Sequence, residues 1–277
     1  MLNGIMLLWF LLTAMAVVFV AIDIRSTPES LVLKWGFILL VAYTGPIGAF
    51  LYVLGCREPL PGLHERYIAT RWRQVLGSTM HCVAGDGVGI LVGAAITSYL
   101  TLSRPVGLAL EYSLGFGFGW TIFQALFMRA MAGGSYRRSL SKTFLPEFLS
   151  MNFLMAGMVP IAALGRSLVG ERLSPLAPAF WFVMSMALLA GFVMAYPMNW
   201  WLVAKGLKHG MTTVRSPEIS DSTRVPEHGA SQAVLALPNK GHAGQAKASR
   251  TEVVWMILLS IVLFALAVGA AELLHGR

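Results

Sequence analysis

The sequence predicts an all-α, polytopic membrane protein built as a bundle of about seven transmembrane helices. Hydrophobic residues make up 56% of the 277 residues and charged residues only 12%, whereas soluble domains carry roughly 25% charged residues. The apolar residues fall in long runs, and a run of about 20 crosses a hydrocarbon core of roughly 30 Å. Lipid offers no partner to backbone N–H and C=O groups, so each run is expected to be a helix.

Seven runs meet this criterion, and we expect each of them to span the membrane once. The first run has no basic segment before it and no small-residue cleavage site after it, so it is expected to stay in the protein rather than act as a signal peptide. The runs cover approximately residues 4–22, 33–54, 78–101, 107–131, 145–168, 179–203 and 252–274.

The positions of the lysines and arginines predict the orientation. With a cytoplasmic N-terminus and an external C-terminus, most of the 21 cations fall in cytoplasmic segments, as the positive-inside rule requires. The chain is thus expected to be a multi-pass membrane protein, and the net charge of +8 needs no nucleic-acid partner to explain it. The external side then receives only Arg25, Lys34, Arg104, Arg166, Arg172 and Arg277.

Composition divides the chain further. The segment before the third run is basic and aromatic, typical of a segment in the headgroup plane. The segment before the last run is rich in Ser, Pro, Gly and charge, typical of a disordered linker. The predicted organisation is two N-terminal helices (1–56), a cytoplasmic interfacial segment (57–76), a four-helix core (77–211), a disordered cytoplasmic linker (212–250) and a lone C-terminal helix (251–277) that anchors or packs peripherally.

Three glycines indicate close helix packing in the third run. Gly85, Gly89 and Gly93 recur every four residues, a spacing that lets two helix backbones approach each other. We expect this face to contact another helix of the bundle.

The third run also carries three chemically active side chains near its cytoplasmic start. At about 100° per residue, Cys82 and Asp86 lie within about 40° of each other on a helix, while His81 points elsewhere. A carboxylate inside a membrane span is unfavourable and is usually retained for function. The alternative interpretation of Asp86 is a helix–helix hydrogen bond.

Methionines line the fifth and sixth runs. Glu147 begins a stripe of Met151, Met155 and Met158 on one helical face. In the sixth run Met194 and Met198 share a side, next to Pro197 and Asn199. Glu147 and Asn199, like Asp86, are assigned a coupling or structural role.

Depth links these groups, since the third and fifth runs begin and the sixth ends at the same predicted face. A pocket of thiolate, imidazole and thioether donors would prefer Cu(I) to Mg²⁺ or Ca²⁺. The competing interpretation is that methionine only fills gaps in the apolar core. The candidate Cu(I) ligands are His81, Cys82, Met151, Met155, Met158, Met194 and Met198.

No pattern indicates an enzyme. The sequence has no nucleophile elbow, phosphate loop or zinc-protease helix. Adjacent His81 and Cys82 diverge by about 100° on a helix and so cannot act as base and nucleophile. A single intramembrane histidine also excludes bis-histidine haem ligation within the chain. We therefore expect a protein without catalytic residues.

Three stretches resemble the signature blocks of an uncharacterised family of bacterial multi-pass membrane proteins, domain of unknown function 4396. They are HCVAGDGVGI, SMNFLMAGMVP and the longer block that ends in YPMNWWLVAKGLKHGM, and the resemblance covers roughly residues 75–211. It implies a prokaryotic inner-membrane protein and supplies no activity. The motif positions carried over are His81, Cys82, Gly85, Met158, Pro197, Asn199 and Lys205.

Three functional hypotheses follow. The first is a binding protein or permease for a small soft ion, Cu(I), with Asp86 as a protonatable coupling group. The second is a non-enzymatic membrane scaffold or assembly partner without a substrate. The third, an intramembrane redox enzyme, requires a cofactor whose ligands the sequence does not provide. The lipid bilayer is the one partner common to all three, and the sequence assigns no oligomeric state.

Overall fold

The structure is a computed structural model that describes residues 2–27, 31–57, 67–129, 134–169, 174–208, 210 and 247–275. These residues form seven helices joined by turns, and no strand occurs among them, so the predicted all-α fold is confirmed. The fourth helix, α4, has an α-helical part (Arg104–Gly117), a π-helical part (Phe118–Gln124) and a final α-helical turn (Ala125–Met128). The others are α1 (Leu2–Asp23), α2 (Leu31–Gly55), α3 (Arg71–Tyr99), α5 (Tyr136–Val169), α6 (Pro178–Ala204) and α7 (Arg250–His275).

Two helices begin earlier than the apolar runs predict. α3 begins at Arg71, so the last residues of the predicted interfacial segment 57–76 are its first turns, and α5 begins at Tyr136 instead of near residue 145. Polar and basic residues can extend a helix beyond the hydrocarbon core into the headgroup region, where hydropathy no longer follows it. Residues 58–66 and most of the predicted linker 212–250 lie outside the described residues.

Six of the helices are long and apolar enough to cross a membrane: α1, α2, α3, α5, α6 and α7. α4 is not in this set, because its π-helical part divides it into shorter stretches. α7 packs on α5, where the Asn152 amide donates a hydrogen bond of 3.0 Å to the Ser260 hydroxyl. The chain is therefore a multi-pass membrane protein.

α2 has the length of a span but turns back on itself. Gly45, before Pro46, has φ 61° and ψ −144°, a conformation that belongs almost only to glycine. In a straight helix Phe37 and Tyr52 would be about 22 Å apart along the axis. Their ring centroids instead lie 5.6 Å apart, so α2 is a pair of half-helices that meet at Gly45.

Both ends of α2 lie beside the end of α1. The Lys34 ammonium donates to the Arg25 carbonyl at 3.1 Å, and the Tyr52 hydroxyl donates to Asp23 Oδ2 at 3.0 Å. The predicted second span thus enters and leaves at one end of the bundle. The hydropathy of a stretch of sequence cannot distinguish a hairpin that returns to the same end from a helix that crosses the membrane, because both are equally rich in apolar residues.

This hairpin changes the predicted topology. We call the end of the bundle that holds Arg57, Arg71, Arg137 and Lys205 the basic end. α1 ends there and α7 begins there, so Leu2 and His275 both lie at the opposite end, whereas the sequence predicts the termini on opposite sides. Arg25 and Lys34 join the basic end, and among the described cations only Arg104 and Arg166 lie at the other.

α3 is the central helix, and its glycines bring α4 close. A Cβ added to Gly93 would lie 2.8 Å from Cα of Glu111, and one added to Gly85 would lie 2.7 Å from the Phe123 ring. A Cβ on Gly89 would overlap the carbonyl of Leu114. The predicted small-residue face of α3 therefore packs against α4, which positions the π-helical part over Asp86.

Candidate intramembrane cation site

The middle of the bundle contains a cluster of three potential metal ligands. Cys82 and Asp86 lie one turn apart on α3, and Glu147 faces them from α5. One ligand atom from each residue lies within 4.8 Å of the others, and all three side chains are fully buried. The sequence placed Cys82 and Asp86 on one helical face, and α5 adds Glu147 to them.

Two carboxylates in this cluster have oxygens without hydrogen bonds. Both oxygens of Asp86 and Oε1 of Glu147 are buried and have no hydrogen-bond partner among the described residues. A buried charged oxygen is strongly unfavourable unless a cation or a donor compensates it. A bound cation, or a proton shared between the two neighbouring carboxyl groups, would compensate these oxygens.

The π-helical part of α4 leaves room for the carboxylates. A Cβ on Gly119 would overlap Asp86 Oδ1 and lie 2.8 Å from Glu147 Oε1. Any larger residue here would require both carboxyl groups to move, and single π-helical turns occur frequently at functional sites. Gly119 thus covers the candidate site.

Lys208 is the cation of the site. It lies in the turn after α6, which Gly206 makes possible with φ 67°. Its ammonium donates to Cys82 Sγ at 2.7 Å and to Asn199 Oδ1 at 2.8 Å, and lies 3.5 Å from Glu147 Oε2. Burial lowers the pKa of Lys208, but attraction to Cys82 and Glu147 outweighs burial and raises that pKa above its ordinary value.

Cys82 is hydrogen-bonded on several sides. Its thiol donates to Glu147 Oε2 at 2.9 Å, and the Gln124 amide donates to its sulfur at 3.4 Å. Neither Cys82 nor Cys56 forms a disulfide. The sulfur thus lies between a carboxylate, an amide and an ammonium.

Asn199 positions Lys208. Its amide nitrogen donates to the Ser150 hydroxyl at 2.9 Å and to the Ala195 carbonyl at 3.0 Å, which leaves its oxygen for Lys208. Its side chain is fully buried between α5 and α6. The sequence predicts a coupling or structural role for Asn199, and in the structure this residue holds Lys208 through its amide oxygen.

His81 lies outside the cluster. Its Nε2 donates to the Phe123 carbonyl at 3.1 Å, and its ring packs on the Phe123 ring with centroids 5.3 Å apart. A Cβ on Gly36 of α2 would lie 3.4 Å from its Nδ1. The imidazole therefore faces α2 and α4, as the angular argument from the sequence expects.

The predicted methionine ligands do not form one shell around Cys82. Met151 lies near the backbone of Asp86, since its methyl group and the Asp86 carbonyl both lie beside Gly115. Met155 is buried in the main core and Met158 packs against Gly191. Met198 belongs to a separate apolar cluster with Leu149, Phe153 and Leu202, and Met194 is only half-buried. Helical spacing predicts that the methionines of each run share one face, but it does not predict which helix packs against that face.

A cavity of about 280 Å³ lies at the basic end. It is lined by the exposed Lys142 and by Lys208 and Gln124, which both contact Cys82. A second cavity of about 210 Å³ adjoins the turn of α2 and is lined by Trp9, Tyr43 and Ser185. There the Trp9 indole donates to the Ser185 hydroxyl at 3.1 Å, and that hydroxyl donates to the Tyr43 carbonyl.

Sequence reasoning missed Lys208, Gln124 and Gly119. Lys208 belongs to the KGLKHGM block, and the positive-inside rule identifies it only as one of the cations of a cytoplasmic loop. The signal that identifies it is a lysine that directly follows a tight Gly-containing turn at the end of an apolar helix.

Comparison with known proteins adds a family and no activity. No curated protein and no solved structure matches the chain. A family model matches residues 71–208, which are α3 to α6 and the turn that carries Lys208. All the residues of the candidate site fall in this part of the chain. Residues 71–208 thus belong to the family described as a domain of unknown function, DUF4396.

Proposed function

We propose that the protein is a membrane permease for a divalent transition-metal cation of the zinc type, which binds to Cys82, Asp86 and Glu147. The observation that carries this proposal is that these three donors converge in the buried centre of the bundle with carboxylate oxygens lacking hydrogen bonds. A site enclosed by membrane-embedded helices suits an ion on its way through the protein.

The donor set favours zinc. Zn²⁺ binds thiolate sulfur at about 2.3 Å and carboxylate oxygen at about 2.0–2.2 Å, and three protein ligands with one further position are typical of its non-structural sites. One sulfur and two carboxylates within 4.8 Å of one another fit these distances after small side-chain movements. Mg²⁺ and Ca²⁺ prefer oxygen donors alone, so the thiol argues against them.

Cu(I), the ion that the methionine stripes suggest, fits less well. Cu(I) prefers several soft thiolate or thioether ligands. Cys82 is the one thiol among the three converging donors, and the predicted thioethers Met155 and Met198 are buried in two different apolar clusters. We therefore rank Cu(I) below Zn²⁺ and retain it as the competing ion in the experiments.

Irregular helices around the site support passage rather than permanent storage. The half-helices of α2 and the π-helical part of α4 both flank α3 at the depth of Asp86. Transporters commonly place such interrupted helices beside a midplane ion site. The two cavities lie towards opposite ends of the bundle, which is the arrangement that alternating access needs.

We infer that the basic end faces the cytoplasm. The described lysines and arginines concentrate there, as the positive-inside rule requires of cytoplasmic loops. Both termini then lie outside the cytoplasm, because α2 returns to the side from which it enters. This revises the cytoplasmic N-terminus expected from the sequence.

The second candidate is the non-enzymatic scaffold. The ion pair of Lys208 with Glu147 and the bond from Asn152 to Ser260 would then only hold α5, α6 and α7 together. In neither reading does a residue act as a catalyst. The two differ in how the buried carboxyl groups are compensated: a permease would use the transported cation, and a scaffold would use Lys208 and a proton shared between Asp86 and Glu147.

The direct test of transport uses the full chain in proteoliposomes that contain a zinc-sensitive dye. We expect zinc influx with the wild-type protein and little influx with Glu147→Gln, because the amide lacks the negative charge that a cation requires. Lys142→Gln, at the exposed rim of the cavity, is the matched control and should leave most of the flux. Equal flux through wild-type and Glu147→Gln proteoliposomes would exclude this site as the route.

A further inference from the structure

Lys208 lies among the donors that the cation would use. Its Nζ is 2.7 Å from Cys82 Sγ and 3.5 Å from Glu147 Oε2, and its side chain is 7% exposed. A zinc ion would lie about 2.3 Å from the same sulfur. Both positive groups cannot lie there together, because two like charges at such a distance repel strongly in a buried site.

We propose that Lys208 is a built-in competitor of the transported cation: its ammonium neutralises the site until an incoming ion displaces it. This inference rests on the proposed cation site and adds to it a residue that sets affinity and selectivity. Lys208 contacts two of the ion's three proposed ligands, Cys82 and Glu147, but is not itself a ligand.

The surroundings of Lys208 allow the displacement. The backbone N–H groups of Leu207 and Lys208 both donate to the Leu202 carbonyl, so the turn itself is anchored to α6. The side chain, in contrast, lines the 280 Å³ cavity at the basic end. A change of rotamer would therefore move the ammonium into the cavity while the backbone stays in place.

Displacement also explains how the site would reject abundant monovalent ions. Na⁺ and K⁺ carry the same charge as the ammonium and bind thiolates poorly, so they gain little by replacing three existing contacts. A divalent ion gains the two carboxylates and the sulfur together. Lys208 thus selects for cations that bind this donor set more strongly than an ammonium does.

Zinc titration of Lys208→Met in detergent tests the competition. Methionine removes the charge and is only one atom shorter than lysine, so we expect zinc affinity to rise by at least about tenfold, because an opposing buried charge is removed. Lys208→Ala, which adds no sulfur donor, should show a rise as well, so that the gain is not that of a new thioether ligand. Lys205→Met is the control, since Lys205 follows the same helix but pairs with Glu252 at 2.6 Å. The zinc affinity of Lys205→Met should equal that of the wild-type protein.

A second variant separates competition from a structural role. In Lys208→Ala the space left by the side chain should admit methylammonium, and added methylammonium should weaken zinc binding in this variant but not in the wild type. An unchanged or lower zinc affinity in both Lys208→Met and Lys208→Ala would overturn the competition while leaving the cation site intact. Absence of zinc binding by every variant and the wild type would overturn both proposals.

Discussion

The ammonium of Lys208 lies 2.7 Å from the sulfur of Cys82, although 126 positions of sequence separate the two residues. This contact brings the turn after α6 to the buried part of α3 and places a cation beside Asp86 and Glu147. It is the relationship on which the proposed exchange of an ammonium for a metal ion depends. The predictions below test the parts of the structure that create it.

Alanine at Gly119 should disturb the site. A Cβ there would overlap Asp86 Oδ1 and approach Glu147 Oε1 to 2.8 Å, so in Gly119→Ala both carboxyl groups must move, and zinc affinity should fall. Gly117→Ala is the matched control, because a Cβ at Gly117 meets no atom within 4 Å. Similar zinc affinities for the two variants would show that the π-helical part does not shape the site.

Asp86→Asn should weaken zinc binding without destabilising the fold. Changing an outer-shell partner of a metal typically lowers affinity about 10–100-fold, and replacing a ligand should cost at least as much. Stability should stay the same or rise, since the amide removes a buried charge that has no hydrogen bond. Glu111→Gln, a change on α4 outside the cluster, serves as the control in both isothermal titration and thermal unfolding. A large loss of stability with unchanged affinity would assign Asp86 to packing.

The hairpin of α2 predicts a strong effect at Gly45. Its φ of 61° with ψ of −144° excludes ordinary side chains, and a Cβ would lie 2.7 Å from the Thr13 hydroxyl. Gly45→Ala should therefore lower the unfolding free energy by roughly 1–3 kcal/mol from backbone strain alone. Gly4→Ala in α1, where a Cβ meets nothing within 4 Å, should have no such effect. Equal melting temperatures would argue for a straight α2.

The topology can be tested with reporters at both termini. Because α2 does not cross, fusions before Leu2 and after residue 277 should report the same, external side, whereas a reporter in 212–250 should report the cytoplasm. Opposite sides for the two termini would restore the seven-crossing arrangement that hydropathy predicts.

Local patterns account for much of the fold and for part of the site. The lengths of apolar runs predict helices, and the helical period puts Cys82 and Asp86 on one face. The same rules could not reveal that α2 folds back, since a hairpin and a crossing have the same composition. The Gly45-Pro46 pair, a turn signal in itself, was the available indication.

The rest of the site depends on tertiary contacts between distant residues. Lys208, Gln124 and Glu147 converge on Cys82 from three different elements, and no spacing in the sequence encodes this convergence. Helical periodicity predicts which face of a helix carries the methionines, but not which helix packs against that face. The methionines predicted to bind one Cu(I) ion therefore belong to two different apolar clusters. The methionine stripes alone favour Cu(I), whereas the side chains that surround Cys82 in the structure favour Zn²⁺.

The central claim is that Cys82 and the two buried carboxylates bind a transition-metal cation, and a metal titration of the reduced protein in mild detergent tests it most directly. Zn²⁺ and Cu(I) are titrated separately into the wild type, Cys82→Ser and Cys56→Ser; Cys56 is an equally buried cysteine outside the cluster. We expect one zinc ion per wild-type chain, a much lower zinc affinity in Cys82→Ser and the wild-type zinc affinity in Cys56→Ser. A free thiol compound added as a competitor should remove Cu(I) from the protein more readily than it removes Zn²⁺. Zinc binding by the wild type that is no stronger than that of Cys82→Ser would contradict the central claim.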